Sequence, residues 1–559
     1  MKLAVALGCF FTASASLGQF EAVVVAARSG SPVSGAPSGV SLAEVGGPLA
    51  VSENGIIAAR AVLAGPGVDD TNDNAIIRID GSDVQLVARE GDQVPGLPTD
   101  TLYRLFNALN AYTTSDGAVV FSGFLGGSGS TGGNDAVVAR FDDAGTTVIL
   151  RKGAAVPGLP SGTTLETVGG NMGVSPNGAT AQRSFTSEVV PDFQMTAIVL
   201  DPAGDGSGLE ALARVRGPAP GFPGMTIFWL DSVPQVDAQG RAVFPAVVGD
   251  LAGFPFTGQG AVFAGDANGV VPVAADGWGS THFPPGTTYG GATLLRVNQT
   301  GGLAFLAGLV PSGDKALLLQ QDDGDPVIVL RTGDQAPDAI PGVLLSNISI
   351  NVMTLSDSGA ALKGVLLEGP GVLPDNDGAL VLAGDGFARM IAREGDPVPG
   401  QVAGTTFKRV SSGRFAVASH DRVVFRGVLN DDRPGLYLGV VARQPEALFA
   451  AGDSFDIADT GSQPDVRTVA DIGPGFSLNA ADQVAVEVTF ADGTSAILRG
   501  QLPAICLPDT NNDGMLTPAD FNAWVIDFNT NAPECDQNND GLCSPADFNA
   551  WVVNFNAGC

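Results

Sequence analysis

The octapeptide REGDQVPG at residues 89–96 returns as RKGAAVPG at 151–158, RVRGPAPG at 214–221, RTGDQAPD at 331–338 and REGDPVPG at 393–400. Successive copies begin near sixty residues apart, and the one longer interval, from Arg214 to Arg331, is nearly two such steps. Weaker copies stand at ARSGSPV around Arg28, VAADGWG near Ala275 and AAGDSFD from Ala450, which makes eight. A fixed period of this size marks a repeat architecture, in which each unit is one supersecondary motif that buries its apolar faces against its neighbours.

Working outward from the octapeptide, each unit has the same grammar. Immediately upstream lies a β-branched or apolar run such as VQLVARE, TTVILRK, VIVLRTG or ARMIARE. Before it, across a Gly or Asp turn, comes a second run, AIIRID, AVVARFD or GALVLAG. Earlier still is a turn followed by a strand: SDGAVVFSG from Ser115, DAQGRAVFPA from Asp237 and NQTGGLAFLA from Asn298. Short β-branched and aromatic runs punctuated by Gly, Asn and Asp are strands joined by tight turns. With the strand that follows the octapeptide, a unit holds about four antiparallel strands, the content of a propeller blade. The last unit, from Phe476 to Leu502, lacks its final strand, whereas FEAVVVAARSG from Phe20 is a final strand without earlier ones. If the first strand completes the last blade, both sheet edges vanish and the ring closes with eight blades. An open β-solenoid would leave these complementary half-units unexplained.

Composition agrees with an all-β body. The 559 residues include 76 Gly and 37 Pro, which are costly in helix interiors by about 1 and 3 kcal/mol each. Apolar residues make up 44% and charged residues only 16%, so the chain has the material for a core and not the dense charge of a disordered one. The net charge of −31 excludes nucleic acid as a natural partner, since a phosphate backbone asks for basic patches. Residues 1–18 combine Lys2, an apolar run from Leu3 to Phe11 and the small-residue stretch TASASLG, and read as a secretory signal peptide cleaved after Ala15 or Gly18. No later window approaches a membrane span. The expected organisation is a signal peptide at 1–18, a propeller of sixty-residue repeats at 19–502 and a separate tail at 503–559, in a protein that is secreted or held at the cell surface.

At NQTGGLAFLA the sequence resembles the tandem-repeat NxxGxxAFxA proteins of exported bacterial chains: Asn298, Gly301, Ala304, Phe305 and Ala307 fill every defined position. Elsewhere Ser115 or Asp237 replaces Asn, Phe121 and Phe244 keep the aromatic, and the unit at Asn54 lacks it. The resemblance implies an extracellular repeat module carried on interchangeable C-terminal anchors, with no established reaction.

The tail carries the sharpest chemistry. DTNNDGMLTPAD from Asp509 and DQNNDGLCSPAD from Asp536 place oxygen side chains at loop positions 1, 3, 5, 9 and 12, with Gly at position 6. Calcium needs this spacing, because successive oxygens wrap one cation, position 7 donates its carbonyl and Gly permits the sharp turn. One site is assigned to Asp509, Asn511, Asp513, Met515 through its carbonyl, Thr517 through water and Asp520. The second is assigned to Asp536, Asn538, Asp540, Leu542 through its carbonyl, Ser544 and Asp547, so that the cofactor is two Ca2+ ions. Each loop runs into a matching helix, in which Phe521, Trp524, Val525 and Phe528, or Phe548, Trp551, Val552 and Phe555, form one apolar face. Four cysteines, Cys506, Cys535, Cys543 and Cys559, suit two disulfides in an exported chain, read as Cys506–Cys559 and Cys535–Cys543. A four-cysteine metal site is the lesser reading, since no C-x-x-C pair is present.

Loop plus exit helix, twice, with Asp at position 12 and a closing Gly-Cys, resembles a GC-type dockerin domain. The resemblance implies calcium-dependent folding and docking to a cohesin-like receptor or a cell-surface component. Where cellulosomal dockerins carry Ser or Thr late in the loop, this chain has Pro518-Ala519 and Pro545-Ala546.

The body offers little to catalysis. It holds only two histidines, His282 and His420, and no G-x-S-x-G elbow. The recurring Arg89, Arg151, Arg214, Arg331 and Arg393, and the recurring Asp92, Asp334, Asp396 and Asp453, read as structural ties at the crossover between blades. The loops VDDTNDNA from Val68 and LPDNDGA from Leu373 read as turn chemistry. Trp229 and Trp278 are the only body tryptophans available as sugar platforms. The expected function is that of a non-catalytic binding or scaffold propeller with a polysaccharide or protein ligand, attached through the tail. The alternative is a dockerin-borne glycoside hydrolase or lyase whose carboxylates face each other at the propeller mouth.

Overall fold

The computed structural model describes residue 20 and residues 22–558, apart from 171, 191–192, 231–232, 251–257, 322–323, 357–358, 400, 411–414, 419–421, 441–444, 459–462, 504–505, 512–514, 531–534, 536 and 539–542. It forms two compact units, one holding Val24–Arg499 and the other the residues from Gly500 onward with the short stretch before Val24.

The larger unit is an eight-bladed β-propeller. Blade 1 shows the pattern: Ser41–Val51, Ile57–Ala64, Asn74–Asp80 and Asp83–Arg89 pair antiparallel in chain order, from the channel outward. The octapeptide that ends each blade is the crossover to the next. Gly91 N donates to Tyr103 O at 2.7 Å and Tyr103 N returns to Asp92 O at 3.0 Å, so the outer strand hands over directly to the next blade's inner strand. The same exchange recurs at Gly153 and Leu165, Gly333 and Leu345, and Gly395 and Phe407. Four of the five recurring arginines brace this corner as expected: Arg89 and Arg331 bond Asp92 and Asp334 at 2.8 and 2.6 Å, and Arg151 and Arg393 bond the carbonyls of Asn134 and Asn376, whereas Arg214 stands 3.7 Å from Glu188.

Closure follows the complementary half-units. In blade 8 the strands Val466–Leu478, Gln483–Phe490 and Ser495–Gln501 are completed by Ala22–Arg28 as the outermost strand. Ser29 N bonds Ser495 O at 2.9 Å, and Ser495 Oγ accepts from Val45 N of blade 1 at 2.9 Å. Two details depart from a uniform four-strand unit. The inner strands of blades 4 and 7 are each broken in two, as Thr226–Leu230 with Gln235–Val236 and Phe407–Arg409 with Phe415–Val417. Blade 8 gains the short Ser454–Asp456, which lengthens the crossover pairing seen elsewhere as isolated bridges.

The cores lie between blades. Along Gly378–Gly384 of blade 6, Ala379, Val381 and Ala383 pack toward blade 5 while Leu380 and Leu382 pack toward blade 7. Successive side chains point to opposite faces and both faces are covered, which is why these strands read as unbroken apolar runs rather than as alternation. The repeat motif explains itself here. Asn298 Oδ1 accepts from Gly302 N at 2.7 Å, closing its own turn, and Nδ2 donates to Ser356 O of the next blade at 3.0 Å. Asn479 repeats both bonds, reaching Ser52 O of blade 1 at 2.7 Å across the closure. Gly301 sits at φ +93°, and a Cβ there would lie 2.7 Å from Arg241 of the preceding blade. At the matching turns Arg78 donates to Gly117 O at 3.0 Å and Arg499 to Gly55 O at 3.2 Å.

In the smaller unit, the helices α1 (Pro518–Thr530) and α2 (Pro545–Ala557) follow the two loops. Trp524 and Trp551 are buried, with Phe521 5.2 Å from Trp551 and Phe548 5.7 Å from Trp524, centroid to centroid. The repeated apolar face is therefore the contact between the two helices. Among the described residues no helix is long and apolar enough to cross a membrane.

Candidate functional site

Two places concentrate polar groups. The first is the channel of the propeller. The ends of the eight inner strands bound a cavity of about 1000 Å³, reached by Glu53 of blade 1, Tyr112 of blade 2, Gln235 of blade 4, Arg296 and Asn298 of blade 5, Ser356 of blade 6 and Asn479 of blade 8. Between them Val174, Val236, Leu355, Val417 and Leu478 supply apolar wall. Tyr112 Oη donates to Met172 O at 2.9 Å, and burial raises its pKa. Arg296 spans two blades, donating from Nε to Met353 O of blade 6 at 2.9 Å and from Nη1 to Leu295 O at 2.8 Å. Burial lowers its pKa. Because the blades follow chain order round the ring, Glu53 and Arg296 stand four blades apart and so on opposite walls.

Behind Arg296, in the core between blades 5 and 6, lies Lys363, with 0% of its surface exposed. It stands four residues after the turn glycine, the slot that Phe121, Phe244 and Phe305 fill in blades 2, 4 and 5. Desolvation, and then the Arg296 charge, bring its pKa down to about 7. Trp229 and Trp278 are outside the channel lining, 49% and 40% exposed on blade 4, with Trp278 stacked on Phe222. The acidic loops of the body are turns: Asp69 Oδ1 accepts from Thr71 N at 2.9 Å, and Asn376 Oδ1 from Leu373 N at 2.7 Å. His282 is exposed, and His420 lies outside the described residues.

The second place is the pair of tail loops. Asp520 and Asp547, at position 12 of each loop, are fully buried at the third residue of α1 and α2. Asp520 Oδ2 accepts from Thr517 N at 2.7 Å and Oδ1 from Asn511 N at 3.3 Å, so one carboxylate gathers both ends of its loop. Asp547 does the same with Ser544 N at 2.8 Å, Gln537 N at 2.9 Å and Asn538 N at 3.2 Å. Burial pushes the Asp547 carboxyl up, but these amides outweigh it and hold the group below its usual value. Asp509 is buried, Thr517 and Ser544 are half-buried, and Asn511, Met515 and Asn538 are exposed. Asp513, Asp536, Asp540 and Leu542 lie outside the described residues. Among those described, no three acidic, His or Cys side chains converge as a metal site. Cys535 and Cys543 form a disulfide, and Cys506 is itself disulfide-bonded, while Cys559 lies outside the described residues.

Sequence reasoning left the channel residues unassigned. Their signal is positional: Asn298, Ser356 and Asn479 hold the first place of the repeat motif, and stacking the repeats in register brings that place onto one ring.

Among solved structures, the chain is similar to an acylaminoacyl peptidase from Pyrococcus horikoshii at 10% identity and a TM-score of 0.36, covering 80% of this chain and 57% of the peptidase. It is similar to the polysaccharide lyase Uly1 at 11% identity and a TM-score of 0.32, covering 74% and 94%. It is similar to the periplasmic gluconolactonase PpgL of Pseudomonas aeruginosa at 14% identity and a TM-score of 0.27, covering 66% and 96%. Likeness at this level carries no argument about activity. No functionally curated protein matches the chain. One family profile, described as "Family of unknown function (DUF7453)", fits twice in tandem, at residues 15–250 and 223–509, and the chain belongs to that family.

Proposed function

We propose that this is an exported, calcium-binding binding protein: a propeller that takes a polysaccharide or protein ligand at its channel, carried on a dockerin-like tail that joins it to a cohesin-like receptor or another cell-surface component. The observation that carries the reading is the channel cavity, a concave space of about 1000 Å³ with mixed apolar and polar walls drawn from every blade, the size and character of a ligand site. Among the described residues Glu53 is the carboxylate on this wall, and the amides and hydroxyls beside it suit binding through hydrogen bonds. Export is supported by the leader at residues 1–18 and by the Cys535–Cys543 disulfide, a bond of oxidising compartments.

The donor set of the tail fits calcium. All its side-chain ligands are oxygens, and in each loop a buried position-12 carboxylate already ties the loop's ends to its helix. Asp509, Asn511, Asp513, Asp520 and the Met515 carbonyl would hold one ion, with Thr517 acting through water, and Asp536, Asn538, Asp540, Ser544, Asp547 and the Leu542 carbonyl the other. Immobilised full-length protein screened against polysaccharides and surface extracts tests the binding role. Retention of a ligand that channel substitutions release supports it, and retention that they leave unchanged removes the channel from the reading.

A further inference from the structure

We infer that the channel takes a carboxylate-bearing small molecule or chain unit held by Arg296; the inference rests on the reading of the channel as a ligand site. In a chain of net charge −31, arginines have no shortage of acids: Arg89 and Arg331 each pair with one, and Arg140 and Arg467 each with two. Others, Arg151, Arg393 and Arg499 among them, are held by backbone carbonyls instead, and of the arginines without an acid Arg296 is the one that lines the channel among the described residues. Its bonds go to the carbonyls of Met353 and Leu295, and among the described residues no carboxylate stands within ion-pair distance of it. Carbonyls fix its orientation without cancelling its charge, and that charge sits at the wall of a concave, partly apolar space where it is poorly screened.

A second basic side chain lies in the same sector. Lys363 lies behind Arg296 in the core between blades 5 and 6, where blades 2, 4, 5 and 7 place Phe121, Phe244, Phe305 and Phe425, so two basic side chains stand behind one stretch of wall. The opposite wall carries Glu53, and the remaining polar lining, Gln235, Asn298 and Asn479 among it, is neutral. A ligand whose anionic end meets the guanidinium, and whose uncharged body spans toward Glu53, matches this polarity. The planar guanidinium fork is suited to a carboxylate, through charge-assisted hydrogen bonds of roughly twice the strength of neutral ones.

The test is calorimetry on the full-length chain with D-glucuronate and D-glucose, which differ in the charged group. Glucuronate should bind with a Kd of about 1 mM or tighter and glucose at least about tenfold more weakly, a tenfold step being about 1.4 kcal/mol. Arg296→Gln should abolish the preference. Since Arg296 also ties blade 5 to blade 6, its folding is checked by melting, and Glu53→Gln provides the second arm. Removing the opposing negative charge should tighten glucuronate several-fold and leave glucose unchanged. Equal binding of the two sugars, no heat with glucuronate, or a Glu53→Gln protein with unaltered glucuronate affinity would each overturn the inference. Capture of neutral glycans that these substitutions do not affect, but that changes at Tyr112 or Gln235 abolish, would keep the channel as a ligand site and remove only the charge assignment. A polysaccharide screen without any channel-dependent ligand would remove the site itself.

Discussion

Lys363 is the residue at which the repeat and its environment disagree most. Its slot is made for Phe, it is fully buried, and its pKa falls to about 7 from 10.5. Between those two values the unfolded chain carries a proton that the folded chain lacks, so stability rises with pH across that window and the lysine is most costly below pH 7. Lys363→Met should therefore raise stability at pH 7 by about 2 kcal/mol and flatten its rise toward pH 10, read by denaturant unfolding at the two pH values. An unchanged pH slope would mean that the amine is solvated. Asn479 is the reverse case, a residue that suits its place twice over. Asn479→Ala removes both the turn bond to Gln483 N and the bond to Ser52 O across the closure, and should cost about 1–3 kcal/mol in the same assay. Asn479→Asp, which keeps the turn acceptor but not the donor, should recover part of that.

At the scale of elements, the strand Ala22–Arg28 is the most consequential, because its partner Ser495–Gln501 is an open edge without it. A chain lacking residues 20–28 should lose its single cooperative melting transition and aggregate, as followed by calorimetry and light scattering; a soluble monomer with an unchanged transition would show that closure is dispensable. This closure was legible in the sequence because the half-units at Phe20 and Phe476 complement each other, and the blade grammar was legible because the turn glycine and the Phe slot recur. The breaks in the inner strands of blades 4 and 7 were not, since Thr226–Leu230 and Phe407–Arg409 pair with neighbours chosen by tertiary context rather than local propensity. The channel was the least legible part. Glu53 and Arg296 are ordinary surface-type residues in their own segments, and only the ring sets them across from each other.

For the whole molecule, charge is the organising quantity. The net −31 is unevenly held: no Lys or Arg follows Arg499, and the acids beyond it gather in the two tail loops. On the calcium reading two ions bind per chain, titration calorimetry should return that stoichiometry, and Asp509→Ala with Asp536→Ala should abolish it. Chelation should then speed proteolysis of the tail while leaving the propeller's melting transition in place. The ring itself has a history as well as a shape. Ser29 and Ser495, which meet at the closure, are 466 residues apart, so the first strand made is among the last to find its partner. Long-range pairing of this kind is slow, and for its whole duration the edge at Ser495–Gln501 fits the first strand of a second copy as well as its own. Closure is thus a race between a molecule and its neighbours. Refolding at high protein concentration should yield interlocked dimers by size-exclusion chromatography, and refolding at high dilution should yield monomers.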